Sequence, residues 1–172
     1  MFQRYNTIGP IILLPKKYAC EKWSGLYALK SDFENLDFNQ VVSRFEEKGK
    51  MVVSFNYLNR EFLAFDIFDH QEVDFSLIEM DEIIYILRYC MESDKEIIQS
   101  EKLRNIESWE LDFEIEFSTE EYLLFDAGIN FFELELDEFP TLFLEQGKYK
   151  IETKILNEDL SEYVIHKIER IL

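Results

Sequence analysis

Asp66, Asp69, His70, Glu72 and Asp74 are the best candidate group of side chains to hold a metal ion in this chain. Their hard oxygen ligands would suit calcium or magnesium, and a small metal-dependent hydrolase using Asp66, Asp69, His70 and Asp74 is the enzyme such a centre would make. The spacing follows no standard calcium loop, and an acidic chain yields such clusters by chance. Other catalytic equipment is thin. The two histidines, His70 and His166, fit no zinc spacing. His166, set among Val164, Ile165 and Ile168, reads as a partly buried structural residue. Five glycines make no phosphate-cradling loop, and neither Cys20 nor Cys90 has a metal or nucleophile signature. Glu133, Glu135, Asp137 and Glu138 could in principle work as paired carboxylates on a glycoside, but nothing in the sequence sets their pKa values apart. The residues therefore point to a non-enzyme without a cofactor, with the metal hydrolase as the alternative.

Acidic side chains recur in a second pattern. Trp109 to Phe117 reads Trp-Glu-Leu-Asp-Phe-Glu-Ile-Glu-Phe, apolar at each odd position and acidic at each even one. Successive side chains of a strand point to opposite faces, so this alternation predicts a half-buried strand. Trp109, Leu111, Phe113, Ile115 and Phe117 are expected to face a core, with Glu110, Asp112, Glu114 and Glu116 in one row on the water side. Phe132 to Asp137 repeats the pattern and adds Glu133 and Glu135. Such rows have two readings. They are solvated faces that discourage edge-to-edge aggregation, or they are a docking surface on which a partner's Arg and Lys make charge-assisted hydrogen bonds. On the second reading the partner-binding residues are Glu110, Asp112, Glu114, Glu116, Glu133 and Glu135. One later segment complements them. Tyr149, Ile151, Thr153 and Ile155 alternate with Lys148, Lys150, Glu152 and Lys154. Beside an acidic row those lysines would relieve repulsion, at roughly 0.2–1 kcal/mol per opposite-charge pair.

The whole composition describes a charged, folded domain, whose acidity serves either solubility or a basic partner. Asp and Glu number 36 against 18 Lys and Arg, a formal net charge of −18. That imbalance argues against nucleic acid and anionic membrane surfaces as partners and favours a basic protein, with attraction that weakens as salt rises. Apolar residues at 47% and aromatics at 16% supply a core, and 172 residues suit a single domain. The opening Met-Phe-Gln-Arg-Tyr-Asn lacks a signal-peptide plan, and the apolar run Ile8 to Pro15 is too short to span a bilayer. With two free thiols besides, the expected compartment is the cytoplasm.

The elements that would position these residues are mostly short strands. Ile8 to Pro15 predicts a buried strand, Lys16 to Gly25 a turn or short helix anchored by Trp23, and Gly25 to Tyr27 a short return strand. Asp32 to Lys50 predicts a helix that Asp37 can cap and Gly49 stops. Met51 to Tyr57 and Glu61 to Phe68 read as a hairpin, and Asp69 to Asp74 as a loop. Asp81 to Tyr89 is rich in β-branched and aromatic residues and predicts a buried strand. Met91 to Asn105 reads as a surface helix or loop, and Tyr122 to Asp126 as a strand before the turn Ala127 to Asn130. The tail from Tyr163 fits helix or strand, with strand preferred. The fold class that follows is α+β, mainly β: antiparallel sheets of short strands with one or two short helices.

Several of these pieces also form an ordered set: Gly9-Pro10-Ile11-Ile12-Leu13-Leu14-Pro15 followed by Trp23 and Gly25; Asp32-Phe33; Phe62-Leu63-Ala64-Phe65-Asp66; Leu123-Leu124-Phe125-Asp126-Ala127; and Leu144 to Thr153 with Gly147 and Tyr149. In order and spacing the set resembles the immunity protein 21 family of bacterial polymorphic toxin systems. The chain departs from that pattern at Ile8, where a second glycine is expected, and in lacking a glycine-rich turn before the central strand. The resemblance implies a cytoplasmic protein that binds and neutralises a cognate toxin and has no catalytic activity. It supplies no contact residues. The charge adds an expectation of its own, that an acidic face covers a basic toxin active site.

Overall fold

Alternation and turn chemistry account for most of the architecture. The computed structural model describes residues 4–7, 9–26, 37–66, 73–89, 100–130, 135, 138–158 and 161–171. In chain order the elements are β1 (Tyr5–Thr7), β2 (Ile11–Pro15), α1 (Lys16–Lys22), α2 (Asp37–Lys48), β3 (Val52–Tyr57), β4 (Arg60–Phe65), β5 (Val73–Met80), β6 (Ile83–Tyr89), α3 (Ser100–Arg104), β7 (Glu110–Phe117), β8 (Glu120–Asp126), β9 (Thr141–Leu144), β10 (Gly147–Glu158) and β11 (Ser161–Arg170). The fold is mainly β, as the patterning predicts, with two antiparallel sheets. Contacts divide the chain into two compact units, each drawn from separated stretches.

One unit comprises Thr7–Glu72 and Thr119–Glu145 and carries a five-stranded sheet in the order β3-β4-β2-β8-β9. Its central strand, β2, is buried along its whole length, which explains why the sequence there is a continuous apolar run and not an alternating one. The hairpin β3–β4 turns through Leu58 and Asn59, both at positive φ (50° and 63°), with Tyr57 opposite Arg60. Two consecutive left-handed residues make the tight turn that matches strand twist. Trp23 packs edge-on against Phe55, Tyr57 and Phe125, and its Nε1–H donates to the Ala127 carbonyl at 2.9 Å. At Gly25 (φ +57°) a Cβ would lie 2.5–2.7 Å from backbone atoms of Gly128, Ile129 and Asn130, so only glycine fits. Gly25 and Leu26 thus form a turn, not the return strand expected there. Asp37 stands at the start of α2, where its carboxylate accepts from the Ser24 amide and hydroxyl, each at 2.9 Å. Val41 and Phe45 form the buried side of that helix.

The other unit comprises Met1–Asn6, Val73–Ser118 and Gln146–Leu172 and carries a six-stranded sheet in the order β1-β5-β6-β11-β10-β7. The tail is the strand β11, paired with β10 over Tyr149↔Arg170 to Glu158↔Ser161 and with β6 on its other side. Strand β5 corrects the loop expected up to Asp74, because Val73 and Asp74 already belong to it. It was hard to see because its turn to β6 is Asp81-Glu82 (φ 55° and 64°), a left-handed pair without the Asn or Gly that usually marks one. Leu103 of α3 packs on Ile78, Tyr85, Leu87, Tyr163 and Ile165, with Ile106 and Trp109 beside them. The predicted strand Phe132 to Asp137 lies outside the described residues except for Glu135, which is exposed and in no strand. The helical segment predicted from Asp32 is described only from Asp37 onward.

Candidate partner-binding strand

The acidic alternation folds into β7, at one end of the six-stranded sheet, with β10 as its neighbour. From Phe117 to Phe113 the pairing is regular: Gly147↔Phe117, Lys148↔Glu116, Tyr149↔Ile115, Lys150↔Glu114 and Ile151↔Phe113. Residues opposite one another share a face. Glu114 and Glu116 therefore lie on the lysine side, while Ile115 and Phe117 are buried on the other, as alternation predicts. The register then slips by one at Ile151/Glu152, so that Glu152 meets Leu111 and Thr153 meets Glu110. An extra residue in one strand exchanges the faces of everything beyond it.

This bulge corrects the expected single row. Leu111 turns out of the core side and is 54% exposed. Asp112 is half-buried and accepts the Thr153 hydroxyl proton at 2.6 Å. Glu110, opposite Thr153, stands on the face away from Glu114 and Glu116. The carboxylates also differ in what neutralises them. Glu114 pairs with Lys148, which is diagonal to it, and Glu116 is left exposed although Lys148 is its direct neighbour. Glu110 is likewise exposed, and neither it nor Glu116 has an ion pair among the described residues. Of the remaining predicted contact residues, Glu135 is exposed and Glu133 lies outside the described residues.

Two of the β10 lysines, Lys148 and Lys150, pair with carboxylates of the sheet. Lys150 and Glu169 pair at 2.9 Å, and Lys150 and Glu152 at 3.5 Å. Lys167 of β11 pairs with Glu152 and, at 3.4 Å, with Glu169, and its Nζ sits 4.8 Å from the centre of the Trp109 ring. The four charges occupy two directly opposed pairs, Lys150↔Glu169 and Glu152↔Lys167. The hydrogen bond to Glu169 is the main reason the Lys150 ammonium titrates above its ordinary value. Burial alone would raise the Glu169 carboxyl, but Lys150 and Lys167 outweigh it and hold it below the usual range. Lys154 reaches the Ser108 carbonyl at 3.3 Å.

On the opposite face a polar chain runs into the apolar interior. Thr153 Oγ1 lies 3.0 Å from Nδ1 of His166, which is fully buried. The hydroxyl has one proton, and the Asp112 carboxylate takes it, so His166 Nδ1–H donates to the hydroxyl oxygen. Burial, with the Arg88 guanidinium nearby, pushes His166 down to about 3, and the imidazole is neutral at ordinary pH. His166, expected to be partly buried, is thus fully buried and bonded to Thr153. Arg88, buried within β6 opposite Val164, was not foreseen, because a single arginine in the run Ile83 to Tyr89 carries no periodic signal.

The metal grouping does not assemble among the described residues. Asp66 and Asp74 belong to different units, and Asp74 already takes a hydrogen bond from Asn6 at 3.1 Å and faces Arg4 at 3.9 Å. Asp69, His70 and Glu72 lie outside the described residues. Among those described, no three His, Cys, Asp or Glu side chains are placed to share a metal ion, and no helix is long and apolar enough to cross a membrane. Cys20 is a free thiol. No protein-family model, curated protein or solved structure matches the chain.

Proposed function

We propose that this protein is a non-enzymatic immunity protein that binds a cognate bacterial toxin in the cytoplasm and neutralises it, one to one, by covering a basic active site with acidic side chains. The observation that carries the reading is the uneven charge balance around β7. Among the described residues, Lys148 and Lys150 of β10 pair with carboxylates of the same sheet and Lys154 bonds the Ser108 carbonyl, while Glu116 is exposed without an ion pair on the lysine face and Glu110 without one on the other face. With a formal net charge of −18, approach of a basic partner is favoured at long range and is screened by salt. The motif order resembling the immunity protein 21 family supplies the class of partner. Glu116 is the exposed member of the contact set on the lysine face of β7, while Glu110 is exposed on the opposite face of that strand and Glu135 is exposed in the other unit. Asp112 and Glu114 contribute less, because internal partners already hold them.

The test is titration of the purified protein against the toxin encoded beside it. Nanomolar binding that weakens steeply with added salt supports the reading, and absence of binding at low salt removes it. The alternative read from the sequence, a metal-dependent hydrolase on Asp66, Asp69, His70 and Asp74, gains no support from the described residues, which divide Asp66 and Asp74 between the two units. Calorimetry with calcium, magnesium and manganese separates the two.

A further inference from the structure

The outer side of β7 is an open sheet edge, since no strand flanks it there among the described residues. Its inner side shows what kind of strand it accepts. There β10 presents Lys148 and Lys150 to the face of Glu114 and Glu116, and Tyr149 and Ile151 to the face of Ile115 and Phe113. From the bulge to Phe117 the alternation of β7 between the two faces is regular, and Glu116 has no counterion among the described residues. We propose that the partner docks by adding an extended segment to this edge, with Lys or Arg alternating with apolar residues as in β10. Main-chain hydrogen bonds would supply the register and the acidic face the selectivity. A second copy of this chain fits the edge poorly, because pairing β7 with β7 sets carboxylate against carboxylate. The bulge at Asp112 limits the usable edge to Phe113–Phe117, so a short segment suffices. The proposal deepens the toxin-binding reading by naming how the partner is held.

The probe is a synthetic peptide alternating Lys with Val and Tyr, added to the full-length protein. Three controls accompany it: a Glu-for-Lys peptide, the Lys peptide N-methylated at alternate residues, and the variant Glu116→Lys checked by circular dichroism. Binding of the Lys peptide alone is expected, weakening about tenfold between low and moderate salt. Amide exchange should slow at Phe113–Phe117. The N-methylated peptide keeps its charge but cannot complete the ladder, so its affinity should fall at least about tenfold. Equal binding of the two Lys peptides, protection elsewhere in the chain, or no binding at low salt each overturns the proposal, the last leaving β7 as a protected edge only. The toxin reading fails separately. If the toxin binds while Phe113–Phe117 stay unprotected, docking is elsewhere and only this inference falls. If the peptide protects them and the toxin does not bind, only the toxin reading falls.

Discussion

Thr153 holds a buried and a half-buried group at once, accepting a hydrogen bond from His166 Nδ1–H and donating one to the Asp112 carboxylate. Thr153→Val keeps the shape but removes both bonds, and weakening the hydrogen bonding of a buried group costs about 1–3 kcal/mol. Urea denaturation should show that loss with an unchanged slope. His166 also predicts an acid sensitivity. The unfolded imidazole titrates near 6.5 while the folded one stays neutral down to about 3. Between those values the unfolded chain binds a proton that the folded chain refuses. Stability therefore falls as pH drops through that window, by up to about 1.4 kcal/mol per pH unit, and is unaffected above it. His166→Asn, whose amide can still donate to Thr153, should flatten the pH dependence of the melting temperature between about 6.5 and 5. A wild-type profile no steeper than the variant's would contradict this assignment.

At the scale of elements, the tight turns carry the testable strain. Glu82 is exposed and held at φ 64°. A left-handed L-residue costs roughly 1–2 kcal/mol, and glycine removes that at some entropic cost in the unfolded chain. Glu82→Gly should therefore stabilise by about 0.5–1 kcal/mol, read as a rise in melting temperature. The same turn shows why this region was hard to read. Alternation announces β7 and β10 because one face of each is wet, and the continuous run Ile11 to Leu14 announces a strand buried on both faces. Strand β5 carries the signal only briefly: alternation holds from Val73 to Leu77 and breaks at the apolar pair Leu77-Ile78, and its turn lacks glycine. The acidic row was legible as residues and not as geometry. Nothing in Leu111-Asp112-Phe113 marks the bulge, which arises from pairing with β10 and moves Asp112 inward to Thr153. Trp23 and Gly25 were legible as landmarks, but the close approach of Gly128 that requires the glycine is a long-range contact.

For the whole molecule the dominant feature is unbalanced charge. Carrying −18, the folded chain repels itself more than the expanded one does. Salt should therefore stabilise it, and the melting temperature should rise by several degrees between about 20 and about 300 mM NaCl. The opposed pairs Lys150↔Glu169 and Glu152↔Lys167 are partly buried and screened less, so they do not cancel this trend. A melting temperature that falls with salt would mean that local attraction outweighs global repulsion. The same salt that stabilises the fold should weaken capture of a basic partner, which lets the two effects be measured against each other.

The six-stranded sheet seats its last-made strands in the middle: β10 and β11 lie between β6 and β7, which are synthesised earlier. During translation β6 and β7 emerge with the gap between them unfilled, and non-local pairing of this kind is slow and vulnerable. A ribosome that stops short of β10 would release a chain with two raw seams in place of a ladder. Such fragments should be cleared by proteases or clump, so the six-stranded sheet exists only once β10 and β11 have been threaded home.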